Sequence, residues 1–175
     1  NIYLIEGSTR LLGVMSTEAS ENAEKFLKEM GVNIILNKRV TDYQDGKVIL
    51  DDNSTITTKT LVWVSGVTAT HFDHIDKEAL NRGGRITVNE FNQMPGMTNV
   101  FAIGDVCFQT EEEYPNGHPQ VAQVAIQQGN LLADNLKHLE SGKTLKAFHY
   151  INLGTLATVG RNKAVADLKK LKLQG

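Results

Sequence analysis

The chain has 175 residues, of which 41% are hydrophobic and 22% are charged, and its formal net charge at pH 7 is −2. These values are typical of a globular protein with one domain or two small ones. They give no electrostatic reason to expect nucleic-acid binding. Cys107 is the single cysteine, which excludes an internal disulfide, a redox Cys-x-x-C pair and a zinc site built on thiolates. No metal is expected, and a reducing compartment is indicated.

No apolar run reaches the length of a membrane span, and no signal-peptide pattern opens the sequence. The first residues form an apolar stretch with no initiator methionine. We therefore expect the chain to be part of a longer protein.

The first 36 residues predict a strand, a helix and a second strand. Ile2–Ile5 and Val32–Leu36 are short apolar runs of strand length. Ser16 or Thr17 suits the N-cap of the helix between them, and Gly31 suits its C-terminal end. The apolar stripe of this helix is predicted at Phe26, Leu27 and Met30. The segment therefore has the pattern of a β-α-β unit.

Short strands and turns are predicted to follow up to residue 64. Asp45-Gly46 is a strong hairpin signal, and Asp52-Asn53 marks a second turn. Thr60–Val64 is predicted as the last strand of this region. The polar segment Thr68–Gln93 is predicted to be a crossover or a domain boundary.

Asn99–Asp105 predicts a buried strand that ends in a glycine and a carboxylate. Open α/β sheets bind ligands at the carboxyl ends of their strands. Gly104 would let the backbone approach a bound group closely, and Asp105 can accept hydrogen bonds from sugar or ribitol hydroxyls. The alternative is a turn glycine and acid without a ligand.

A long helix is predicted from Pro119 to about Leu139, with Pro119 at its first helical position. Its buried residues are predicted to be Val121, Ala122, Ala125, Leu132 and Leu136. Three further strands are predicted at Phe148–Tyr150, Thr155–Val159 and Ala164–Leu168. The basic run Leu168–Leu173 has an amphipathic pattern but is too short to anchor a protein to a membrane.

Two features suggest redox-cofactor chemistry. Glu6 follows a predicted strand, where an acid can accept hydrogen bonds from both ribose hydroxyls of NADH; the alternative is a turn acid. Gln123 and Gln127 share one face of the long helix, whose N-terminus carries a partial positive charge suited to a reduced flavin. An uncharged amide face could hydrogen-bond a quinone carbonyl, or it could be the wet side of an amphipathic helix.

Four stretches, in this order, resemble the type II NADH dehydrogenases, single-subunit flavoproteins that pass electrons from NADH to quinone. They are Leu61–Val67, Asn99–Asp105, Ala122–Gly129 and Gly154–Val165. The matches extend over essentially the whole chain, which corresponds to somewhat less than half of a family member. No G-x-G-x-x-G phosphate loop occurs in the sequence. The resemblance implies that both such loops lie upstream of this region.

By this resemblance, Gly104 and Asp105 hold the ribitol and phosphate region of FAD. The backbone around Gln120, Val121 and Ala122 faces the flavin ring.

The same resemblance assigns substrate contacts. Glu6 binds the NADH ribose. The residues near the nicotinamide end are Gly66 and Val67, and those that line the quinone site are Gln123, Ile126 and Gln127. No catalytic acid, base or nucleophile is implied, because FAD carries the reactive atoms.

The implied fold is α/β: a partial FAD/NAD(P)-binding Rossmann-like fold of glutathione-reductase type that lacks both phosphate-binding loops. Residues 1–70 would belong to the NADH-binding domain, and residues 71–147 would be the returning part of the FAD-binding domain. Residues 148–175 would begin the C-terminal region.

The implied function is electron transfer from NADH through FAD to a membrane quinone, peripherally on the cytoplasmic side of the cell membrane. Membrane association would use segments beyond this chain. We expect the isolated chain to be soluble, inactive and without bound cofactor, and to self-associate through open sheet edges.

Two alternatives remain. One is another pyridine-nucleotide flavoprotein reductase, of the ferredoxin or sulfide:quinone type, although the single Cys107 argues against sulfide chemistry. The other is a non-catalytic folding or interaction module.

Overall fold

The computed structural model describes residues 1–168 and 171–175, and the chain divides into two compact units. One unit comprises Asn1–Val64 with Leu153–Gly175, and the other is Ser65–Asn152. The middle of the basic run 168–173 lies outside the described residues. No helix in the described part is long and apolar enough to cross a membrane.

The first unit begins with the predicted β-α-β arrangement. Strands β1 (Ile2–Glu6) and β2 (Val32–Leu36) pair in parallel, and helix α1 (Thr17–Glu29) connects them. Ser16 is the N-cap, since its side-chain oxygen accepts a hydrogen bond from the amide of Ala19. These predictions are confirmed.

The C-terminal end of α1 differs from the prediction in one respect. Met30 is the C-cap and is 47% exposed, so it does not belong to the buried stripe. Gly31 follows with φ = 80°, the left-handed conformation that ends many helices and that glycine adopts without steric cost.

A three-stranded antiparallel sheet follows: β3 (Val40–Gln44), β4 (Lys47–Leu50) and β5 (Thr55–Thr57). The turn between β3 and β4 is Asp45-Gly46, and both residues have positive φ. This is the backbone conformation expected of a two-residue hairpin loop. The predicted second turn at Asp52-Asn53 is also present.

The last three strands form an antiparallel sheet: β9 (Thr155–Thr158), β10 (Ala164–Leu168) and β11 (Leu171–Gln174). This sheet packs on α1 through one hydrophobic core. The buried core residues are Met15, Ala19, Ala23, Phe26, Val159 and Val165.

The second unit has a small mixed sheet and one long helix. Strand β6 (Leu80–Asn81) pairs antiparallel with β7 (Arg85–Thr87), which pairs in parallel with β8 (Cys107–Phe108). Helix α2 extends over Ala122–Glu140. Two buried clusters hold the unit together: Ile86, Val88, Met94, Ala102 and Cys107 around the sheet, and Val124, Phe148 and Tyr150 under the helix.

Two predicted strands are absent. Thr60–Val64 and Phe148–Tyr150 have no regular secondary structure. An apolar, β-prone composition is not sufficient for a strand, because each strand also needs a neighbouring ladder of hydrogen bonds. Val64 is 89% exposed, whereas Phe148 is buried and its amide donates to the Glu90 carbonyl at 2.7 Å.

The predicted strand Asn99–Asp105 is also wrong, since these residues do not form one continuous strand. Its middle instead lies antiparallel to residues 92–94, through a bridge between Gln93 and Phe101 and a 3.0 Å bond from the Ala102 amide to the Asn92 carbonyl. Gly104–Val106 then forms a single 3-10 turn that leads into β8. Asp105 therefore lies in a turn before a strand and not at the tip of one.

Helix α2 begins three residues later than predicted. Val121 is its N-cap, so Pro119 precedes the helix and does not occupy the first helical position. The buried residues of α2 are Val124, Gln128 and Asn135, none of which was predicted. The predicted set is half-buried or exposed: Val121, Ala122, Ala125, Leu132 and Leu136.

Candidate functional site

The turn at Gly104 lies directly against helix α2. Gly104 has φ = 67°, and a Cβ added there would lie 3.2 Å from the Cβ of Ala125. Its amide donates a 2.7 Å hydrogen bond to Oε1 of Gln128, one turn further along the helix. Gln120, just before the helix, donates from Nε2 to the Asp105 carbonyl at 3.1 Å. Two glutamines therefore fix this turn to the beginning of α2.

The carboxylate of Asp105 is exposed beside this helix N-terminus. Val121 offers no side-chain cap, and the amide of Ala122, the first helical residue, has no intrahelical acceptor. The site therefore combines an accessible carboxylate, which accepts hydrogen bonds, with a backbone amide at the positive end of a helix dipole.

Beneath the turn is a buried network of uncharged polar side chains. Nε2 of Gln128 donates to Oε1 of Gln109 at 3.2 Å and lies 3.6 Å from the Cys107 sulfur. Nδ2 of Asn92 also donates to Oε1 of Gln109, at 3.0 Å. Burial raises the pKa of the Cys107 thiol, and the hydrogen bonds from Gln128 and Asn92 only partly oppose this effect. The thiol is therefore neutral at physiological pH.

A buried arginine braces the loop that precedes α2. Arg85 donates from Nε to the Cys107 carbonyl at 2.8 Å and from Nη2 to the His118 carbonyl at 3.0 Å. Its guanidinium lies 5.4 Å from the ring centroid of Phe108. Burial lowers the Arg85 pKa, while the nearby Cys107 and Asp105 raise it. The guanidinium stays charged, since arginine does not lose its proton in proteins.

The imidazole of His118 lies in an aromatic cluster formed by Tyr114, Phe148 and Tyr150. His118 is 1% exposed, and its Nε2 lies 2.8 Å from Oε1 of Glu111. Its other ring nitrogen, Nδ1, is buried and has no hydrogen-bond partner among the described residues.

The predicted glutamine face holds the chain segment that follows the aromatic cluster. Gln127 donates from Nε2 to the Ile151 carbonyl at 2.8 Å and accepts from the Ile151 amide at 3.0 Å. Gln123 accepts a 3.3 Å hydrogen bond from the Tyr150 hydroxyl. Ile126, between them in sequence, is 62% exposed. Burial raises the pKa of the Tyr150 phenol, and Tyr114 adds to the shift, so this hydroxyl stays protonated.

The remaining predicted residues lie elsewhere in the chain. Glu6 ends β1 and is half-buried, and its Oε1 accepts a 2.8 Å hydrogen bond from the Ser8 amide. Gly66 and Val67 are exposed in a segment without regular secondary structure. No cluster of possible metal ligands occurs among the described residues.

Residues 1–129 match the pyridine nucleotide-disulphide oxidoreductase family. The chain belongs to this family. Two curated relatives are type II NADH:quinone oxidoreductases: NdhA of Mycobacterium tuberculosis, 31% identical over 99% of this chain, and that of Haemophilus influenzae, 33% identical over 95%. The resemblance stated from the four sequence stretches is thereby confirmed. The chain spans 38% of the length of each relative.

The solved structure of NDH2 from Plasmodium falciparum in complex with NADH has the same fold, with a TM-score of 0.86 and 16% identity. The match extends over 100% of this chain and 51% of that one. The expected Rossmann-like fold of the pyridine nucleotide-disulphide oxidoreductases is therefore confirmed.

The donor set near Gly104 is chemically suited to a flavin cofactor. An exposed carboxylate can accept hydrogen bonds from hydroxyls, and the helix N-terminal amide can donate to a polar edge of the flavin ring. The glycine turn lies in close contact with the helix.

Sequence reasoning did not predict that Gln128 and Arg85 build the site from below. Gln128, Arg85 and His118 are polar residues that the fold buries. Gln128 lies inside the recognised stretch Ala122–Gly129, which does not indicate that its side chain is buried.

Proposed function

We propose that this chain supplies the flavin- and quinone-facing part of a type II NADH:quinone oxidoreductase, which transfers electrons from NADH through FAD to a membrane quinone. One structural relationship supports this proposal above the others. The Gly104-Asp105 turn is joined to the start of α2 by the Gln128 and Gln120 side chains, so that the two flavin-contacting segments form one rigid piece.

In this proposal Asp105 accepts hydrogen bonds from the ribitol chain of FAD, and Gly104 allows the close approach. The backbone of Gln120, Val121 and Ala122 faces the flavin ring, where the helix N-terminus stabilises negative charge. FAD supplies the chemistry that accepts a hydride from NADH and passes two electrons on. The chain itself positions these groups and tunes the local electrostatics.

Gln123, Ile126 and Gln127 are proposed to line the quinone site. Ile126 offers exposed apolar surface for the quinone ring. Gln127 uses one N–H and its carbonyl on Ile151, so its second N–H is the group proposed for a quinone carbonyl. Such a hydrogen bond binds the quinone without introducing a charge.

NADH is proposed to bind the first unit through Glu6, whose carboxylate accepts hydrogen bonds from the ribose hydroxyls. Gly66 and Val67 are proposed to lie near the nicotinamide.

The proposed domains follow the same division. Residues 1–70 would belong to the NADH-binding domain, residues 71–147 to the FAD-binding domain, and residues 148–175 to the beginning of the C-terminal region. Attachment to the cytoplasmic face of the membrane would be peripheral and would use segments other than these. The 175-residue chain alone is proposed to hold no FAD and to have no activity.

The proposal is tested on the whole protein that the gene encodes. We expect purified protein to contain FAD and to reduce a soluble quinone with NADH in preference to NADPH. Asp105→Ala should lower the FAD-to-protein ratio at least severalfold, because the exposed carboxylate is a direct ligand in this proposal. The matched control is Asp134→Ala, on the exposed face of α2.

Two results would contradict the proposal. One is a protein without flavin or NADH:quinone turnover, and the other is an Asp105→Ala variant that retains FAD as well as the control does. Preferential reduction of ferredoxin, or oxidation of sulfide, would favour the other flavoprotein reductases.

A further inference from the structure

Two consecutive residues, Tyr150 and Ile151, contact both glutamines of the proposed quinone site. The Tyr150 hydroxyl donates to Oε1 of Gln123 at 3.3 Å. The Ile151 amide donates to Oε1 of Gln127 at 3.0 Å, and the Ile151 carbonyl accepts from Nε2 of Gln127 at 2.8 Å. Gln123 and Gln127 are four residues apart and so share one face of α2. Residues 150 and 151 therefore orient two neighbouring amides on that face.

Tyr150 is a firm support for these contacts. It is 9% exposed, although the residues on either side of it are exposed. Its ring centroid lies 5.4 Å from that of Tyr114, and its amide donates to Oε1 of Glu111 at 3.3 Å. Burial raises the pKa of its phenol, so the hydroxyl keeps the proton that it donates to Gln123. The ring, the backbone and the hydroxyl of Tyr150 are each held by a different group.

The contacts with Ile151 fix which way the Gln127 amide faces. A backbone N–H can only donate and a backbone carbonyl can only accept, so the Gln127 oxygen lies against the Ile151 amide and its nitrogen against the Ile151 carbonyl. In a planar amide that pairs through both atoms, the second N–H points away from the partner. This N–H has no acceptor in the part of the chain that the structure describes. Gln127 therefore offers a ligand a hydrogen-bond donor.

Both glutamine carbonyls are already engaged by the protein, Gln123 by Tyr150 and Gln127 by Ile151. A quinone presents carbonyl oxygens, which accept hydrogen bonds, whereas a quinol presents hydroxyl protons, which need acceptors. A quinol hydroxyl that faces a donor here loses a hydrogen bond that it makes in water. The glutamine face therefore suits the oxidised form of the ligand better than the reduced form.

We propose that Tyr150 and Ile151 are positioning residues for quinone reduction: they hold the Gln123 and Gln127 carbonyls against the protein, so that the site selects the oxidised quinone over the quinol. This inference rests on the proposed function. Neither residue reacts, since Tyr150 acts through Gln123 and the Ile151 backbone acts through Gln127. The weaker fit of the quinol favours its release after each turnover.

The positioning contact is tested on the 175-residue chain, without cofactor or quinone. Tyr150→Phe removes one hydroxyl and keeps the ring, and Tyr114→Phe is the matched control from the same aromatic cluster. The {¹H}–¹⁵N NOE of the glutamine side-chain nitrogens reports how firmly each amide is held on the ps–ns timescale. We expect Tyr150→Phe to lower the NOE of Gln123 and to leave that of Gln127 unchanged, because the bonds to Ile151 remain. Tyr114→Phe should change neither.

The use of this contact is tested on the flavin-loaded product of the whole gene. We expect Tyr150→Phe to raise KM for a short-chain benzoquinone by roughly threefold to tenfold, the effect of about one neutral hydrogen bond. The rate at which NADH reduces the flavin without quinone should not change, because that step does not use the glutamine face. A merely structural role would alter both quantities or neither. Tyr114→Phe should leave KM for the quinone unchanged.

The selectivity is tested with the two redox forms of the same benzoquinone. Each form is titrated into oxidised protein without NADH, and binding is followed by flavin fluorescence. We expect the quinone to bind at least roughly threefold more tightly than the quinol. Gln127→Met removes the donor and should abolish this preference, whereas Asn130→Ala, exposed on the same helix, should keep it. If Gln127→Met does not fold, the ratio of the two dissociation constants in the wild-type protein still decides the selectivity.

The outcomes separate this inference from the proposed function. An unchanged Gln123 NOE in Tyr150→Phe would overturn the positioning role, whatever the activity. A lowered NOE with an unchanged KM would overturn its use in quinone reduction, and equally tight binding of quinone and quinol would overturn the selectivity. A whole protein without NADH:quinone turnover would contradict the proposed function and the selectivity together. The NOE measurement would then still decide whether Tyr150 holds Gln123.

Discussion

The Oε1 atom of Gln128, a buried side chain, accepts a 2.7 Å hydrogen bond from the amide of half-buried Gly104. The same side chain donates to Gln109 through Nε2. Gln128 therefore joins the Gly104-Asp105 turn to the buried polar network, and Gln120 holds the same turn at the Asp105 carbonyl.

Replacing this glutamine with an apolar residue of similar shape should be costly. Gln128→Met leaves the Gly104 amide and Oε1 of Gln109 with fewer partners, and a buried unsatisfied polar group costs about 1–3 kcal/mol. We expect the free energy of unfolding to fall by about 2–3 kcal/mol in urea denaturation. Asn130→Ala, exposed on the same helix, should change it by less than about 0.5 kcal/mol. Equal effects of the two substitutions would refute the role given to Gln128.

The buried face of α2 shows which features local sequence could not reveal. Asp45-Gly46 and Ser16 were predicted correctly, because hairpin turns and N-caps depend on residues within a few positions. Gln128 and Asn135 are buried because distant groups satisfy them; Asn135, for example, both donates to and accepts from the backbone of Lys146 at 2.9 Å. A helical pattern scored on apolar residues alone cannot identify such a face.

The candidate site divides in the same way. The motif around Gly104 and Asp105 indicated the positions that are proposed to face the ligand, and the sequence resemblance gave their order along the chain. The groups behind them, such as Arg85 and His118, required the fold. The polar contacts that hold them join residues at least seven positions apart in sequence.

Adding a methyl group at Gly104 should destabilise the second unit for two separable reasons. Alanine at φ = 67° is strained by about 1–2 kcal/mol, and its Cβ would crowd the Cβ of Ala125 at 3.2 Å. Gly142 has φ = 65° but open space around it, so Gly142→Ala measures the strain alone. We expect Gly104→Ala to lower the unfolding free energy by more than Gly142→Ala does. Combining Gly104→Ala with Ala125→Gly should recover only the part of the loss that comes from contact with Ala125. Equal losses in Gly104→Ala and Gly142→Ala would argue against close contact at Ala125.

The N-cap of α1 is held by a distant carboxylate in the first unit. Asp167 accepts hydrogen bonds from the Ser16 amide at 2.6 Å and from its Oγ at 2.7 Å. Asp167→Ala removes two charge-assisted bonds, so we expect it to lower the unfolding free energy by about 2 kcal/mol. Exposed Glu21→Ala on the same helix is the control. A loss no larger than that of the control would show that Ser16 caps the helix without help from Asp167.

An exposed ion pair should give a measurable pH dependence. Hydrogen bonds from Lys38 and Ser54 hold the pKa of Asp52 well below its usual range, and the Asp52 partner raises the pKa of Lys38. The stabilisation from this ion pair is therefore fully present between the ordinary pKa of an aspartate and the ordinary pKa of a lysine. It is lost as the pH falls through the lowered carboxyl pKa or rises through the raised amine pKa.

The pair can be tested by carbon NMR of the Asp52 carboxyl group. Lys38→Met should raise the midpoint of its titration, and high salt should raise it in the wild-type chain because exposed pairs are screened. Lys28→Met removes a similar exposed pair with Glu24 and should leave the Asp52 midpoint where it was. If Lys38→Met leaves the midpoint unchanged, the lowered pKa of Asp52 comes from Ser54 alone.

Open strand edges should make the isolated chain associate. The sheet of β1 and β2 has two strands only, and Ile2 and Tyr3 on β1 are 65% and 45% exposed. Unpaired edges with apolar side chains pair readily with other chains, and charges on the edge oppose this. We expect sedimentation velocity to show a concentration-dependent increase in mass over the micromolar range, and Tyr3→Lys to weaken it. Leu156→Lys, on the edge strand of a different sheet and 65% exposed, is the control, and equal weakening by both would place the contact elsewhere. A strictly monomeric chain would refute the prediction, since the β1 edge would then be protected in some other way.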